Sequence, residues 1–234
     1  MYHKVTEGEP EDNMTIRSLD LDRQLQCLLE QGYTTISTQQ LIDYQYGQEP
    51  LPAKPVLLTF DDGYHNNFTL LYPLLQKYRM RATIFLVASF VWQAGQTPGE
   101  LKFMSEDQLR QMDNSLIEFG LHTFDHSSYK EMTAAQIAAD IDQCRAMLQK
   151  MQVPFAPVLA YTYGAYYKKG EPWNAMVQVF REKGIRLAFR IGNRINNLPV
   201  KEPFVVQRID IRGNETLDRF QKKLKRGGKM WKIW

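Results

Sequence analysis

Short apolar segments with the character of buried strands alternate with amphipathic helical segments along most of the 234-residue sequence. Residues 81–88 have the clearest strand character, because they are apolar and rich in β-branched side chains over a strand-like length. Residues 67–78 have the clearest helical character, since their leucines recur at the spacing of one helix face. This alternation predicts an α/β protein with a mostly parallel sheet and helices outside it.

The other predicted elements follow one another without a Pro-, Gly- or Ser-rich linker. Strands are predicted at residues 1–5, 33–36, 54–60, 117–121, 158–163, 185–190 and 205–209. Helices are predicted at residues 19–31, 38–44 with Thr38 as N-cap, 173–183 and 215–224, and capping boxes at Ser105 and Thr133 begin two more. Residues 93–101 are predicted to form a surface loop. We therefore predict one domain over residues 1–234, a closed or partly open barrel with its chemistry at the C-terminal strand ends.

The composition, 44% hydrophobic and 24% charged, is that of a globular protein and argues against a disordered or fibrous chain. A net charge of +3 is too small to indicate a nucleic-acid partner. The basic segment 222–229 is interpreted as a solvated helix end, with contact to a polyanion or a membrane as the alternative. Cys27 and Cys144 each fall on the apolar face of a predicted helix, so we predict two buried free thiols.

No stretch of the sequence approaches the roughly 18 consecutive apolar residues that a membrane-spanning helix needs. The N-terminus also lacks the charged and then apolar pattern of a signal peptide. From the sequence as it stands we expect a soluble protein that is not exported, with export left open if the N-terminus has been trimmed. The compartment and the oligomeric state are not predicted.

Two adjacent carboxylates, Asp61 and Asp62, come at the end of a predicted strand, and Gly63 then allows a sharp turn of the backbone. Neighbouring side chains on a strand point in opposite directions. One carboxylate can therefore bind a metal ion while the other acts as a base. The alternative is a helix N-cap followed by a first-turn acid, which also favours aspartate.

Two of the four histidines, His122 and His126, lie four residues apart just beyond another predicted strand. Imidazole suits zinc, iron, cobalt and nickel, and two histidines with one carboxylate leave coordination positions open for water and substrate. The alternative is a pair of surface or helix-capping histidines. Asp125, between them, is interpreted as solvated or as an acceptor that orients a ligand.

A third strand end, 160–164, carries Tyr161 and Tyr163 before Gly164. The aromatic rings are candidates for walls of a sugar site, and a backbone N–H at such a turn can donate to an oxyanion. The alternative is an aromatic core followed by an ordinary turn. His3, in the first predicted strand, is a candidate general acid, with an ordinary polar residue as the alternative.

Taken together, these segments resemble the signatures of the polysaccharide deacetylase, or NodB-homology, family. Residues 59–63, 122–126 and 160–164 match its three strand-end motifs in order. The resemblance implies a distorted (β/α)7-type barrel in which Asp62, His122 and His126 hold one divalent metal ion, zinc foremost, with iron, cobalt and nickel as alternatives. It also implies Asp61 as the general base and the backbone N–H of Tyr163 as an oxyanion donor.

The sequence departs from the family pattern at several positions. It has no histidine after His126 to serve as the usual late acid. However, the Met-Tyr-His context of His3 is similar to a branch of poly-N-acetylglucosamine deacetylases that supplies the acid from the first strand. Thr162 replaces the usual proline of the third motif, and Leu121 replaces a frequent serine. The arginine that orients the base is not evident; Arg190 and Arg194 are candidates to contact the base or the substrate, with a plain surface role as the alternative for each.

The resulting expectation is a metal-dependent hydrolase that removes N-acetyl groups from an amino sugar or a polysaccharide of the N-acetylglucosamine type. Tyr161 and Arg194 are the predicted substrate contacts, and a carbohydrate is the predicted partner. Two alternatives stay open. One is a catalytically weak or silent carbohydrate-binding relative, and the other is a deacylase of another small acylated compound.

Overall fold

The computed structural model describes residues 1–47, 49–96 and 102–227. Within these residues the strands are β1 Lys4–Thr6, β2 Thr15–Arg17, β3 Thr34–Thr35, β4 Pro55–Val56, β5 Thr59–Asp62, β6 Ala82–Leu86, β7 Ile117–Leu121, β8 Val158–Ala160, β9 Leu187–Ile191 and β10 Val206–Arg208. The α-helices are α1 Ser18–Glu30, α2 Thr38–Gln45, α3 Tyr72–Tyr78, α4 Ala88–Gln96, α5 Glu106–Gln111, α6 Ala134–Lys150, α7 Gly170–Glu182 and α8 Leu217–Arg226. Strands and helices alternate, as the sequence predicts.

Six parallel strands form the main sheet in the order β10-β9-β8-β7-β6-β5, so strands adjacent in the chain are also adjacent in space. The register pairs Asp62 with Leu86, Leu86 with Leu121, and Leu121 with Leu159. Because the strands are parallel and in this register, their C-terminal ends meet at one edge of the sheet. That edge carries the residues after β5, β7 and β8 that the sequence marks as functional.

The N-terminal segment closes the sheet into a barrel. The N–H of Tyr2 donates to Thr59 O at 2.8 Å, and the N–H of Asp61 donates to Tyr2 O at 3.0 Å. On its other side, Met1 bonds through its nitrogen to Ile209 O and accepts from the N–H of Ile211. This segment therefore lies between β5 and the end of β10 and occupies the position of a seventh strand. The distorted (β/α)7-type barrel is confirmed.

Side chains on the two faces of the sheet pack into two cores, as expected for period-2 alternation. Phe85 and Phe189 belong to the smaller core inside the barrel, with ring centroids 5.5 Å apart. Ile84 and Ala188, their neighbours in sequence, belong to the larger core beneath the helices. Each large apolar side chain that is fully buried stabilises the fold by about 1.5–3 kcal/mol relative to an exposed one. The barrel is thus filled, and its upper rim is left for polar groups.

Several local predictions are confirmed. Cys27 and Cys144 are both buried and free. Capping boxes are present at Ser105 and Thr133, where each side chain accepts from the backbone N–H three residues on. The predicted helix at 67–78 is a π-helical turn, Asn67–Leu71, that continues into α3.

Other local predictions are wrong. The N-cap of α2 is Ser37 rather than Thr38, because the Ser37 hydroxyl accepts from the N–H of Gln40. Part of the predicted loop 93–101 belongs to α4, which ends at Gln96 and buries Val91 on the core; residues 97–101 lie outside the described residues. No helix in the described ranges is long and apolar enough to cross a membrane.

The basic segment 222–229 is only partly the solvated helix end that its charge predicts. Lys222 forms an exposed ion pair with Asp218. Lys223 is instead buried, and its ammonium group contacts both Glu215 and the carbonyl of Asp210. A buried lysine needs such partners because an unpaired charge is costly away from water. Residues 228 and 229 lie outside the described residues.

Candidate active site

Asp62 ends β5 with a left-handed backbone, φ 74°, followed by Gly63 at φ 77°. This unusual turn brings the carboxylate to the rim of the barrel. Its Oδ1 atom lies 3.3 Å from Nε2 of His122 and 3.2 Å from Nε2 of His126. A side chain added at Gly63 would meet Leu86 at 2.8 Å, so glycine is required at this turn by both space and φ.

The two histidines present the same nitrogen to Asp62 but are oriented by different partners. Nδ1 of His122 lies 2.8 Å from Ala160 O at the end of β8. Nδ1 of His126 lies 3.0 Å from the hydroxyl of Tyr163. A ring whose Nδ1–H is engaged in this way keeps the lone pair of Nε2 available for a metal ion. A carbonyl can only accept, so Nδ1 of His122 carries the proton and its Nε2 lone pair is available, and the Tyr163 hydroxyl is compatible with the same tautomer of His126.

The donor set of Asp62, His122 and His126 fits a divalent cation. One ligand atom from each of the three residues lies within 4.8 Å of the others. Oδ1 of Asp62 is buried and accepts no hydrogen bond, although it faces two imidazole nitrogens. A buried carboxylate oxygen without a donor is unfavourable unless a cation neutralises it. Two nitrogens and one oxygen suit zinc, iron, cobalt or nickel.

Asp61 has a separate environment. Arg208, from β10, forms a bidentate ion pair with it. The Nη1 atom lies 2.6 Å from Oδ1 and the Nη2 atom lies 2.7 Å from Oδ2. Both residues are buried. Burial alone would raise the pKa of Asp61, but the charges of Arg208 and His122 outweigh it and hold that pKa below its usual range. Asp61 is therefore an ionised carboxylate in a fixed orientation.

The arginine that contacts Asp61 is thus Arg208, and neither Arg190 nor Arg194 makes this contact. Arg190 bonds instead to Ile191 O and to the hydroxyl of Tyr166. The sequence does not mark Arg208, which lies beside Gln207 in the predicted strand 205–209 and far along the chain from Asp61. That position was itself the available signal, since an arginine in a buried strand requires an acidic partner.

Electrostatics among Asp62 and the two histidines favour a charged carboxylate. Burial opposes ionisation of Asp62, but the facing imidazoles of His122 and His126 outweigh it and keep its pKa far below the usual range. For His122, burial lowers the pKa, and the charges of Asp61 and Asp62 more than reverse this. Tyr64 stays protonated, because burial and then the Asp62 charge raise its pKa. These side chains form one coupled cluster.

The structure places His3 at this cluster. The bridge between Tyr2 and Phe60 is parallel, so the next residue, His3, lies at the level of Asp61. Its charge contributes to the lowered pKa of both Asp61 and Asp62. Asn67 holds the backbone of this segment by donating from Nδ2 to His3 O at 2.9 Å.

Tyr161 and Tyr163 lie in opposite environments, the first buried and the second exposed. Tyr163 is 71% exposed at the rim, with a left-handed φ of 56°, and its hydroxyl contacts His126. Tyr161 is buried; its hydroxyl donates to Phe204 O, and its ring stacks on Tyr166. The side chain of Tyr161 therefore lies in the core rather than along a surface wall.

Arg194, the other predicted substrate contact, lines a largely apolar cavity beside α8 together with Leu58 and Leu224. Within the described residues, no hydrogen bond or ion pair joins it to the carboxylates and histidines of the cluster. An aromatic group that the sequence did not indicate does border the cluster. Its rings are linked in the series Tyr64–Phe103, Phe103–Phe90 and Phe90–His126, with centroid separations of 5.1, 4.4 and 6.2 Å.

The sequence profile of a family described as polysaccharide deacetylase matches residues 48–188, more than half of the chain. The chain belongs to the polysaccharide deacetylase family. The matched span contains Asp61, Asp62, His122 and His126, whereas His3 and Arg208 lie outside it. The N-terminal segment and β10, which close the barrel, thus each bring one residue to the cluster from outside the part of this deacetylase domain that the profile covers.

Known proteins similar to this deacetylase-family chain agree with the assignment. A poly-beta-1,6-N-acetyl-D-glucosamine N-deacetylase of Escherichia coli (strain K12) is 35% identical over 138 residues, which cover 53% of this chain and 20% of that protein. The Bacillus subtilis (strain 168) protein YxkH is 28% identical over 167 residues, covering 71% and 56% respectively. The chain therefore spans only part of the length of both relatives.

Among solved structures, the Streptococcus pyogenes deacetylase PplD in complex with acetate superposes with a TM-score of 0.82. The two sequences are 21% identical, and the superposition covers 96% of each chain. At this level of identity the comparison establishes a shared fold over nearly the whole chain.

Proposed function

We propose that this chain is a metal-dependent hydrolase that removes N-acetyl groups from an amino sugar or polysaccharide of the N-acetylglucosamine type. The observation that carries the proposal is the buried, donor-free Oδ1 of Asp62 facing two Nε2 atoms, beside a separately held and ionised Asp61. A site for a cation and a site for a base thus stand side by side. The name of the Escherichia coli relative supports the substrate class.

In this proposal Asp62, His122 and His126 hold one divalent ion, with zinc foremost and iron, cobalt and nickel as alternatives. Such an ion acts as a Lewis acid on a carbonyl oxygen and makes a nearby water more acidic. The chain itself must hold the ligand side chains in position. Ala160 O contacts Nδ1 of His122, and the hydroxyl of Tyr163 contacts Nδ1 of His126.

Asp61 is proposed as the general base. Arg208 contacts both of its oxygens, so the carboxylate is ionised and cannot rotate freely. As water adds to the acetamide carbon, Asp61 accepts its proton. The backbone N–H of Tyr163 is proposed to donate to the oxygen that becomes negatively charged. Loss of one such donor typically costs about 10²–10³ in rate.

His3 is proposed as the general acid. When protonated, its imidazole donates a proton to the amide nitrogen while the bond from the acyl carbon to that nitrogen breaks. The water oxygen stays on the acyl carbon, so the products are acetate and a free amine. The position of His3 at the level of Asp61 supports this assignment, because the acid and the base must both reach the scissile amide.

The proposal is tested with the Asp62→Asn variant, incubated with zinc, cobalt or nickel and assayed for acetate release from β-1,6-linked N-acetylglucosamine oligomers. We expect both stoichiometric metal binding and acetate release to be lost, because Asn replaces an anionic ligand with a neutral one. A metal concentration 100 times Kd should stabilise the wild type against unfolding by about 2.7 kcal/mol.

The matched control is Asp142→Asn, which makes the same chemical change at a residue of α6. Asp142 forms an ion pair with Lys183 away from the site. It should keep both metal binding and activity. Full metal content and full acetate release in Asp62→Asn would show that the metal assignment is wrong. Metal binding without acetate release by the wild type, across N-acetylated oligomers, would instead reject the substrate class.

A further inference from the structure

Two consecutive side chains after β8 reach across to the loop that carries His126. The hydroxyl of Thr162 donates to Ser127 O at 2.8 Å, and the hydroxyl of Tyr163 lies 3.0 Å from Nδ1 of His126. We propose that the Thr162–Tyr163 pair positions His126 and thereby sets the metal affinity of the site. This inference rests on the proposed metal-dependent function and concerns side chains, not the backbone N–H of Tyr163.

His126 needs such support more than His122 does. The side chain of His122 is 3% exposed, and its Nδ1 is held by a carbonyl at the end of a sheet strand. The side chain of His126 is 21% exposed, and its backbone has a left-handed φ of 67° within a loop. Neither burial nor a strand carbonyl therefore orients the ring of His126. A partner outside the loop has to do so.

Tyr163 supplies this partner at the ring. Nδ1 of His126 lies within hydrogen-bond distance of the phenol oxygen, and donation from Nδ1–H to that oxygen leaves the Nε2 lone pair free for the metal position. The two rings meet edge to face, with centroids 4.7 Å apart and planes at 79°. Because Tyr163 is 71% exposed, its hydroxyl adds little to the core. The effect of removing that hydroxyl should therefore fall on His126 rather than on the fold.

Thr162 supplies the second contact, at the backbone. It stands where the third motif of the family usually has proline, and it is buried at 1% exposure. Proline would restrict the backbone but could not donate a hydrogen bond. The threonine hydroxyl instead ties Ser127 O, the carbonyl of the residue directly after His126, to the end of β8. Threonine at this position thus gives up the backbone restriction of proline and gains a hydrogen bond to the loop that carries His126.

The test is a titration of metal-free protein with Co²⁺, followed by the visible absorption of the bound ion and by competition with Zn²⁺. Tyr163→Phe should weaken binding about tenfold, the lower end of the effect expected for a group that orients a metal ligand. Thr162→Val, which keeps the shape but removes the hydroxyl, should weaken it less than Tyr163→Phe, because Thr162 contacts the backbone of the loop and not the ring of His126. Thr162→Ser should restore wild-type affinity.

Tyr167→Phe is the matched control for the ring. The hydroxyl of Tyr167 donates to Met132 O and does not touch a ligand, so this variant should bind Co²⁺ like the wild type. The Co²⁺ spectrum should change in Tyr163→Phe, because the coordination geometry at His126 relaxes, and should stay unchanged in Tyr167→Phe. A merely structural tyrosine would not move the spectrum.

The outcomes separate this inference from the proposed function. If the wild type binds no Co²⁺, the metal site itself is rejected. If the wild type binds Co²⁺ and both Tyr163→Phe and Thr162→Val match its affinity and spectrum, the positioning role is overturned. Equal losses in Thr162→Val and Thr162→Ser would reject the part of the inference that depends on the threonine hydroxyl. If Thr162→Val does not fold, Tyr163→Phe alone decides.

Discussion

Asp61 and Asp62 are neighbours in sequence but belong to two differently built halves of the site. The base half, Asp61 with Arg208 and His3, is held by a buried ion pair in which both carboxylate oxygens are occupied. The metal half, Asp62 with His122 and His126, contains a buried oxygen with no hydrogen-bond donor. The comparison teaches that the base half has all its hydrogen-bond partners within the chain, whereas in the proposed function a cation completes the metal half. Substitutions in the two halves should therefore fail in different ways.

The largest effect should come from His3, the proposed general acid in the base half. We expect His3→Gln to lower the rate of acetate release by about 10²–10⁴, because proton donation to the departing amine is lost. The metal affinity should be unchanged, since His3 is not among the ligands. Steady-state rates and a parallel metal titration measure the two quantities. A matching loss of metal affinity would place His3 in the metal half and undo the division.

Next comes the ion pair that completes the base half. Arg208→Leu leaves Asp61 buried without a partner, which should lower the free energy of unfolding by about 3–5 kcal/mol. For metal-free Asp62→Asn we expect a smaller cost, since this substitution leaves no buried charge without its partner. Urea unfolding of metal-free protein at pH 8 measures both. Equal costs for the two substitutions would mean that the halves do not differ in this way.

The smallest effect is on how steeply the free energy of unfolding falls as the pH is lowered into the acid range. The folded-state pKa of Asp61 is lowered, so the unfolded chain binds its proton first as the pH falls below the ordinary value of 3.8. The stabilisation from ionised Asp61 is therefore present above that pH and is lost as the pH falls towards the folded-state pKa. In this window each such group contributes up to about 1.4 kcal/mol per pH unit.

Asp61→Asn removes this contribution, so its free energy of unfolding should fall less steeply between about pH 4 and pH 2 than that of the wild type. The variant is less stable at neutral pH, because Arg208 loses its partner, but the comparison concerns the slope. Urea unfolding at a series of pH values gives that slope. Identical slopes would mean that Asp61 is not held ionised by the fold.

The contacts that orient the site could not be read from the sequence, because they join distant segments. Asp61 and Arg208 are separated by 147 positions, and Tyr163 and His126 by 37. Tyr161 illustrates the same limit. It follows β8 directly, and only the packing against Tyr166 and Phe204 shows that its ring belongs to the core rather than to a sugar site.

The sequence by itself determined the alternation of strands and helices, and it placed Asp62, His122 and His126 at strand ends. Together with the resemblance to the deacetylase family, this predicted the barrel and the metal half, because parallel strands bring their C-terminal ends to one edge. Only the tertiary structure decided that Arg208 contacts Asp61 and that Thr162 bonds to the loop of His126. Both depend on which side chains meet across the closed barrel, and that is determined by register and packing rather than by local pattern.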